Sequence, residues 1–188
     1  MKKSTYRPAV LKTASVSADE FLSGALDREI RTRIKAVVDT EAPVSERLLI
    51  KRVINSFGIQ KAGVNVRDVM MTNISALKLK TTADKDIVTY WKNGQTPEMW
   101  NVFRVPASEE EKRDVLDVAK EEIAAAAASL IRGKKDVPYG DLARETAQLL
   151  GYTRMGNNVV DMIKKGIDTA VKRGYLKKKG SLYSEGKI

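Results

Sequence analysis

The sequence contains neither cysteine nor histidine. That double absence excludes thiolate and imidazole metal sites, disulfide frameworks, Cys and His nucleophiles and Ser-His-Asp relays. Long apolar runs are also missing, since no stretch approaches the roughly 18 apolar residues that span a bilayer. The opening "MKKSTYRPAVLKTASVSADEF" begins basic, but the uninterrupted apolar segment of a secretory signal does not follow. A cytoplasmic protein without membrane attachment is expected. Two enzymatic motifs are approached and missed. "LGYTRMGNNV" (150–159) carries Gly151 and Gly156, yet Asn157 and Asn158 stand where a phosphate-binding loop needs Lys and Ser/Thr. Glu110-Glu111-Lys112 has the spacing of a nuclease E-x-K, but it falls at an expected helix start, "SEEEKRDVLD", without a partner aspartate in pattern. Neither points to a reaction, and no metal or cofactor is expected.

What the chain does have is positive charge. Its 188 residues carry a formal +10, and 43% are hydrophobic, enough to bury one core or two small ones. Excess positive charge attracts nucleic acid and anionic membrane surfaces, without saying which. The charge is unevenly placed: residues 1–26 carry +2, 27–106 carry +5, 107–150 carry −3 and 151–188 carry +6. An acidic stretch therefore separates two basic ones.

A shift of 93 positions lays 27–77 on 120–170 without a gap, with ten of the 51 positions identical. Those are Glu29/Glu122, Ile30/Ile123, Val44/Val137, Leu49/Leu142, Gly58/Gly151, Gly63/Gly156, Asn65/Asn158, Val66/Val159, Asp68/Asp161 and Ile74/Ile167. The apolar positions agree in class as well, as with Phe57 over Leu150 and Met70 over Ile163. An internal repeat is the reading this supports.

Each unit reads as three helices followed by strands. In the first, a helix over about 21–39 brings Ile30, Ile34, Val37 and Val38 to one face; Ser45 caps a second; Gly58 ends it in a left-handed conformation; "IQKAG" turns into a third. The second unit repeats this with an alanine-rich helix over 109–132, a helix from about Tyr139 to Leu150, and one from about Gly156 to Arg173. Helices joined by a four-residue glycine-bearing turn make a helix-turn-helix. "GYLKKKGSLYS" then reads as a β-wing, with a longer counterpart in "DIVTYWKNGQTPEMWNVFRVP" around Asn93-Gly94. The expected fold is mainly α with small β wings (α+β): two tandem winged helix-turn-helix units over 21–106 and 107–188, after an N-terminal extension over 1–20.

The segment "VVDTEAPVSERLLIKRVINSFGIQKAGVNV" resembles domain-of-unknown-function family 3320, found at the C-terminal end of large bacterial superfamily I helicase-like proteins. Some of those carry a nuclease domain and sit in anti-phage defence loci. Glu41-Ala42-Pro43-Val44 corresponds to the family's "EGPI", "LLIKRVI" to its "LARRVA", and Gly58 to Gly63 to its "G-x-x-R-x-G". Ala42 departs from the family's glycine, and Ser45 stands where histidine is frequent. "YRPAVLK" and "VFRVP" fit the family's flanks, so the resemblance extends over most of the chain. It implies an accessory module of a nucleic-acid-processing system, without helicase motifs of its own.

A winged helix lays its third helix in the major groove and its wing over the backbone. In the second unit the outward face would present Asn158, Asp161, Lys164, Lys165, Asp168 and Lys172, with Arg154 in the turn and Lys177, Lys178 and Lys179 on the wing. In the first unit it would offer Lys61, Asn65, Arg67, Thr72 and Asn73, with Lys78 and Lys80 beyond. Plainer roles exist for the same residues. Asp161 with Lys165 and Asp168 with Lys172 have the spacing of solvated i,i+4 pairs, Asn65 and Asn158 could cap helices, and lysines protect an edge strand from pairing. Trp91 and Trp100 fit packing roles better than base stacking. The expectation is a non-enzymatic module binding duplex DNA, accessory to a helicase or nuclease. The alternative is a docking module for such a protein partner without direct nucleic-acid contact.

Overall fold

Serine hydroxyls open two of the early helices: Ser17 accepts the amide of Glu20 and Ser45 that of Leu48, both at 3.1 Å. The computed structural model describes residues 1–186. Its chain divides into two compact units, Arg7–Gln95 and Met1–Tyr6 with Thr96–Ile188. The first strand, β1 (Lys2–Thr5), belongs to the second of these. Seven helices and three small sheets give an α+β content among the described residues.

The first unit runs through α1 (Ala18–Leu22), α2 (Asp27–Glu41), β2 (Val44–Ser45), α3 (Glu46–Ser56), α4 (Val64–Ala76), β3 (Lys80–Asp84) and β4 (Ile87–Trp91). The single helix expected over 21–39 is split, because Gly24 takes φ +82° and breaks the run before α2 begins. Ile30, Ile34, Val37 and Val38 do fall on one buried face of α2, against Leu49, Val53, Ile54 and Phe57 of the next helical segment. Each such side chain, removed from water, contributes about 1.5–3 kcal/mol. Phe21 meets Phe57 edge to face at 5.4 Å between centroids, and the Arg33 guanidinium lies 3.6 Å from the centre of the Phe57 ring. Gly58 ends α3 with φ +80°, as its position requires. The three strands pair antiparallel in the order β2-β4-β3, and the β3–β4 hairpin turns at Lys85-Asp86.

The second unit adds β5 (Val102–Val105), α5 (Lys120–Leu130), β6 (Val137–Pro138), α6 (Tyr139–Leu149), α7 (Asn157–Lys172), β7 (Leu176–Lys179) and β8 (Leu182–Glu185). β1 and β5 pair in parallel, Lys2 beside Val102 through Thr5 beside Val105. The others form a three-stranded sheet in the order β6-β8-β7. Ala124 to Ala128 are all buried, and Gly166 on α7 faces Ile123 so closely that a Cβ built on the glycine would collide with the isoleucine side chain. Alanine on one helix and glycine on the other let α5 and α7 pack tightly.

Three expectations are corrected here. The alanine-rich helix begins at Lys120 rather than 109. Its acidic lead-in is a loop with one short 3-10 turn, Val115–Asp117, whose cap Asp114 accepts the Leu116 amide at 2.9 Å. The physical reason is Arg113, which turns inward. Glu122, fully buried on α5, accepts from Arg104 on β5 (Nε to Oε2, 2.9 Å) and from Arg113 (Nη1 to Oε1, 2.7 Å; Nη2 to Oε2, 3.0 Å), and these guanidinium groups flank the Tyr6 ring. A continuous helix through 113 would forfeit that pairing. Second, Asn93-Gly94 is not a hairpin turn: Gln95 donates back to Lys92 at 3.0 Å and closes a turn, but the "VFRV" strand beyond it pairs with β1. Third, a two-residue strand precedes α3 and another precedes α6, each completing a sheet.

Residues 1–20, expected as an extension, are divided between the units. Residues 2–5 form β1, while Ala9 donates to Glu41 Oε1 at 2.9 Å and Ala14 to the Ser56 carbonyl at 2.7 Å. Among the described residues no helix is long and apolar enough to cross a membrane.

Candidate nucleic-acid interface

The two helix corners share their geometry. Gly58 and Gly151 end α3 and α6 in the left-handed region, at φ +80° and +93°. Gly63 and Gly156 are the N-caps of α4 and α7 in extended conformation, and neither helix has a side-chain cap or an acid in its first turn. "LGYTRMGNNV" is thus a turn between helices. Asn65 and Asn158 do not cap; each is the second residue of its helix and is exposed.

On α7 the buried stripe is Met162, Ile163, Gly166, Ile167 and Ala170. The opposite face exposes Asn157, Asn158, Val160, Asp161, Lys164 and Lys172, while Lys165 and Asp168 are half-buried. Arg154 is exposed in the turn ahead of the helix. Gly174, at φ +73°, reverses the chain into β7, where Leu176 points inward and Lys177, Lys178 and Lys179 are all exposed. β7 is the outer strand of its sheet, and only β8 pairs with it among the described residues. Lys178 sits opposite Tyr183 with its ammonium 5.8 Å from the ring centre, and Tyr139 lies 6.1 Å from that ring. Burial raises the Tyr139 phenol above its ordinary value, with neighbouring Tyr183 and Asp168 adding to it.

The first unit is different. Lys61 and Asn65 are exposed as expected, and so are Lys78 and Lys80. Arg67 is exposed but committed: it donates to Glu46 Oε1 at 2.5 Å, and Glu46 Oε2 accepts the Tyr90 hydroxyl at 3.0 Å. Burial, then the Glu46 charge, pushes the Tyr90 phenol up. Asn73, expected on the open face, is fully buried. It donates to Asp27 Oδ1 at 2.9 Å and the Val69 carbonyl at 3.0 Å, and accepts from Arg31 at 2.9 Å, joining α4 to α2. The periodicity put Asn73 outside because an amide reads as polar, whereas two half-buried charged groups on α2, Asp27 and Arg31, give it partners. Trp91 is buried with its indole N–H donating to Thr82 at 3.0 Å.

Two exposed residues of α7 escaped the sequence reading, Asn157 and Val160. The signal for them was the position of Gly156, which makes Asn157 the first residue of the helix and places Val160 one turn on. Among the described residues no group of three or more acidic side chains is arranged to hold a metal ion.

Comparison with known proteins adds one similarity. The family described as "Protein of unknown function (DUF3320)" matches residues 19–68, from α1 into the first turns of α4. The matched span contains "EAPV", "LLIKRVI" and the turn to Gly63, and excludes the "YRPAVLK" and "VFRVP" flanks. It is a narrower match than the resemblance over most of the chain suggested. No curated protein matches the sequence.

Proposed function

We propose that the chain is a tandem winged-helix module that binds nucleic acid, duplex DNA in particular, and catalyses no reaction of its own. One observation carries this reading. α7 has an uncovered outer face, and the hairpin following it presents three consecutive exposed lysines on an outer strand. A helix of that kind fits the major groove, with the hairpin lysines over the phosphate backbone. The order helix, strand, helix, helix, strand, strand occurs in both units, with the middle position of each sheet held by the last strand. This agrees with a duplicated winged helix. By its resemblance to the helicase-linked family, the module acts in the cytoplasm beside a helicase or nuclease.

The test is a salt titration of duplex binding. Phosphate contact requires affinity to fall steeply as salt rises, with a log–log slope of about −0.9 per phosphate neutralised. Lys177→Glu, Lys178→Glu and Lys179→Glu together should weaken binding and flatten that slope. Affinity indifferent to salt, or unmoved by the triple reversal, would sink the assignment. A second reading, docking to a helicase or nuclease protein, draws on the first unit, where Ala62, Gly63 and Val64 bring an uncharged exposed tip to the start of α4.

A further inference from the structure

Phosphate contact does not account for the first two turns of α7. Asn157 and Asn158 are exposed there, and among the described residues neither side-chain amide has a hydrogen-bond partner. Val160 is 40% exposed although large and apolar, and Asp161 beside it is exposed as well. Helical spacing sets Val160 and Asp161 one turn beyond Asn157, on the face it shares. These two turns contain neither arginine nor lysine, the exposed lysines of the helix being Lys164 and Lys172 further along.

These residue types discriminate between base edges. In the major groove adenine offers an acceptor, N7, beside a donor, the N6 amino group, and an asparagine amide matches that pair with its own donor and acceptor. Guanine offers two acceptors, N7 and O6, which call for arginine or lysine. A carboxylate accepts from the amino group of adenine or of cytosine and is repelled by guanine's two acceptors, so Asp161 does not by itself decide between A·T and C·G pairs. An exposed valine suits the thymine methyl. We infer that α7 reads A·T base pairs in the major groove, with Asn157 and Asn158 on adenine and Val160 against the thymine methyl. The inference rests on the duplex-binding reading above. It is confined to α7, because the same positions of α4 hold Val64, Asn65, Arg67 and Asp68, and Arg67 is tied to Glu46.

Selection of the full chain on duplexes with a randomised central stretch tests it, alongside salt-dependent affinity for the unselected pool. The expected result is enrichment of A·T pairs. Asn157→Ala with Asn158→Ala should abolish that enrichment, losing about 5- to 150-fold on the selected duplex for each amide–adenine pair, a larger loss than on the unselected pool. Salt-dependent binding without base preference, a G·C-rich selection, or a preference that survives the double substitution overturns the inference and leaves duplex binding standing. Absence of salt-dependent binding to any duplex overturns both.

Discussion

Asn73 on α4 and Gly166 on α7 stand 93 positions apart, and they join their helices to α2 and α5 by opposite means. In the first unit a buried amide bridges Asp27 and Arg31 of α2. In the second, the absence of a side chain lets α7 close on Ile123 and the alanines of α5. A buried polar bridge is specific but costs desolvation unless every group is partnered, whereas close apolar packing needs only shape. The same order of elements therefore does not require the same contacts. Corresponding glutamates differ likewise: Glu29 is half-exposed and pairs with Arg33, while Glu122 is buried between two guanidinium groups.

The sharpest way to break this comparison is at Glu122. Burial alone would raise its pKa, but Arg104 and Arg113 outweigh that and hold the carboxyl at about 2, below the usual 4.5. A depressed carboxylate stabilises the fold fully above about pH 4.5, and that contribution is lost as pH falls toward 2. Glu122→Gln leaves two buried cations short of their partner and should cost about 3–5 kcal/mol. For a unit of this size the thermal midpoint should then drop by roughly 4–8 °C per kcal/mol. Thermal unfolding across pH 2–6 checks this: the variant should lose most of the acid dependence of that unit, and Glu29→Gln should change little.

A smaller effect separates the two helix contacts. Gly166→Ala places a methyl group on Ile123 and should destabilise by about 1–3 kcal/mol through overpacking, despite alanine's better helix propensity. Asn73→Ala leaves Asp27 and Arg31 without their bridge and should cost about 1–3 kcal/mol. Denaturant unfolding of each variant decides, and a neutral Gly166→Ala would show that α5 and α7 do not need their close approach. The smallest effect belongs to Arg67, whose side chain is 56% exposed in its pair with Glu46. Arg67→Ala should cost no more than about 1 kcal/mol of stability and leave duplex affinity unchanged, in contrast to the lysines of β7. A large loss of affinity at Arg67 would transfer the nucleic-acid contact to the first unit.

Much of the local structure was legible beforehand. Ser45 as a cap, Gly58 and Gly151 as helix ends, the bounds of α6 and α7, and the β7–β8 hairpin all follow from residues within a few positions of one another. The exposure of Lys164, Lys172 and Asn158 on α7 was legible for the same reason, since a helical stripe fixes its own opposite face, whereas Lys165 is half-buried. Where sequence reasoning failed, the partner lay far along the chain. Asn73 finds Asp27 from 46 residues away, Arg67 finds Glu46 from 21, and Arg104 finds Glu122 from 18.

The amino-acid sequence by itself determined the absence of thiol and imidazole chemistry, the concentration of positive charge after residue 150, and the glycine-marked corners that α7 and α4 follow. These depend on composition and on backbone preferences that act within a turn or two. Only the tertiary structure decided that Arg113 turns inward and delays α5 to Lys120, that "VFRV" pairs with β1 rather than folding back at Asn93-Gly94, and that Arg67 is occupied while Asn157 and Asn158 stay uncommitted. Ion pairing and strand pairing carry no sequence period, so their partners are chosen when separate elements meet.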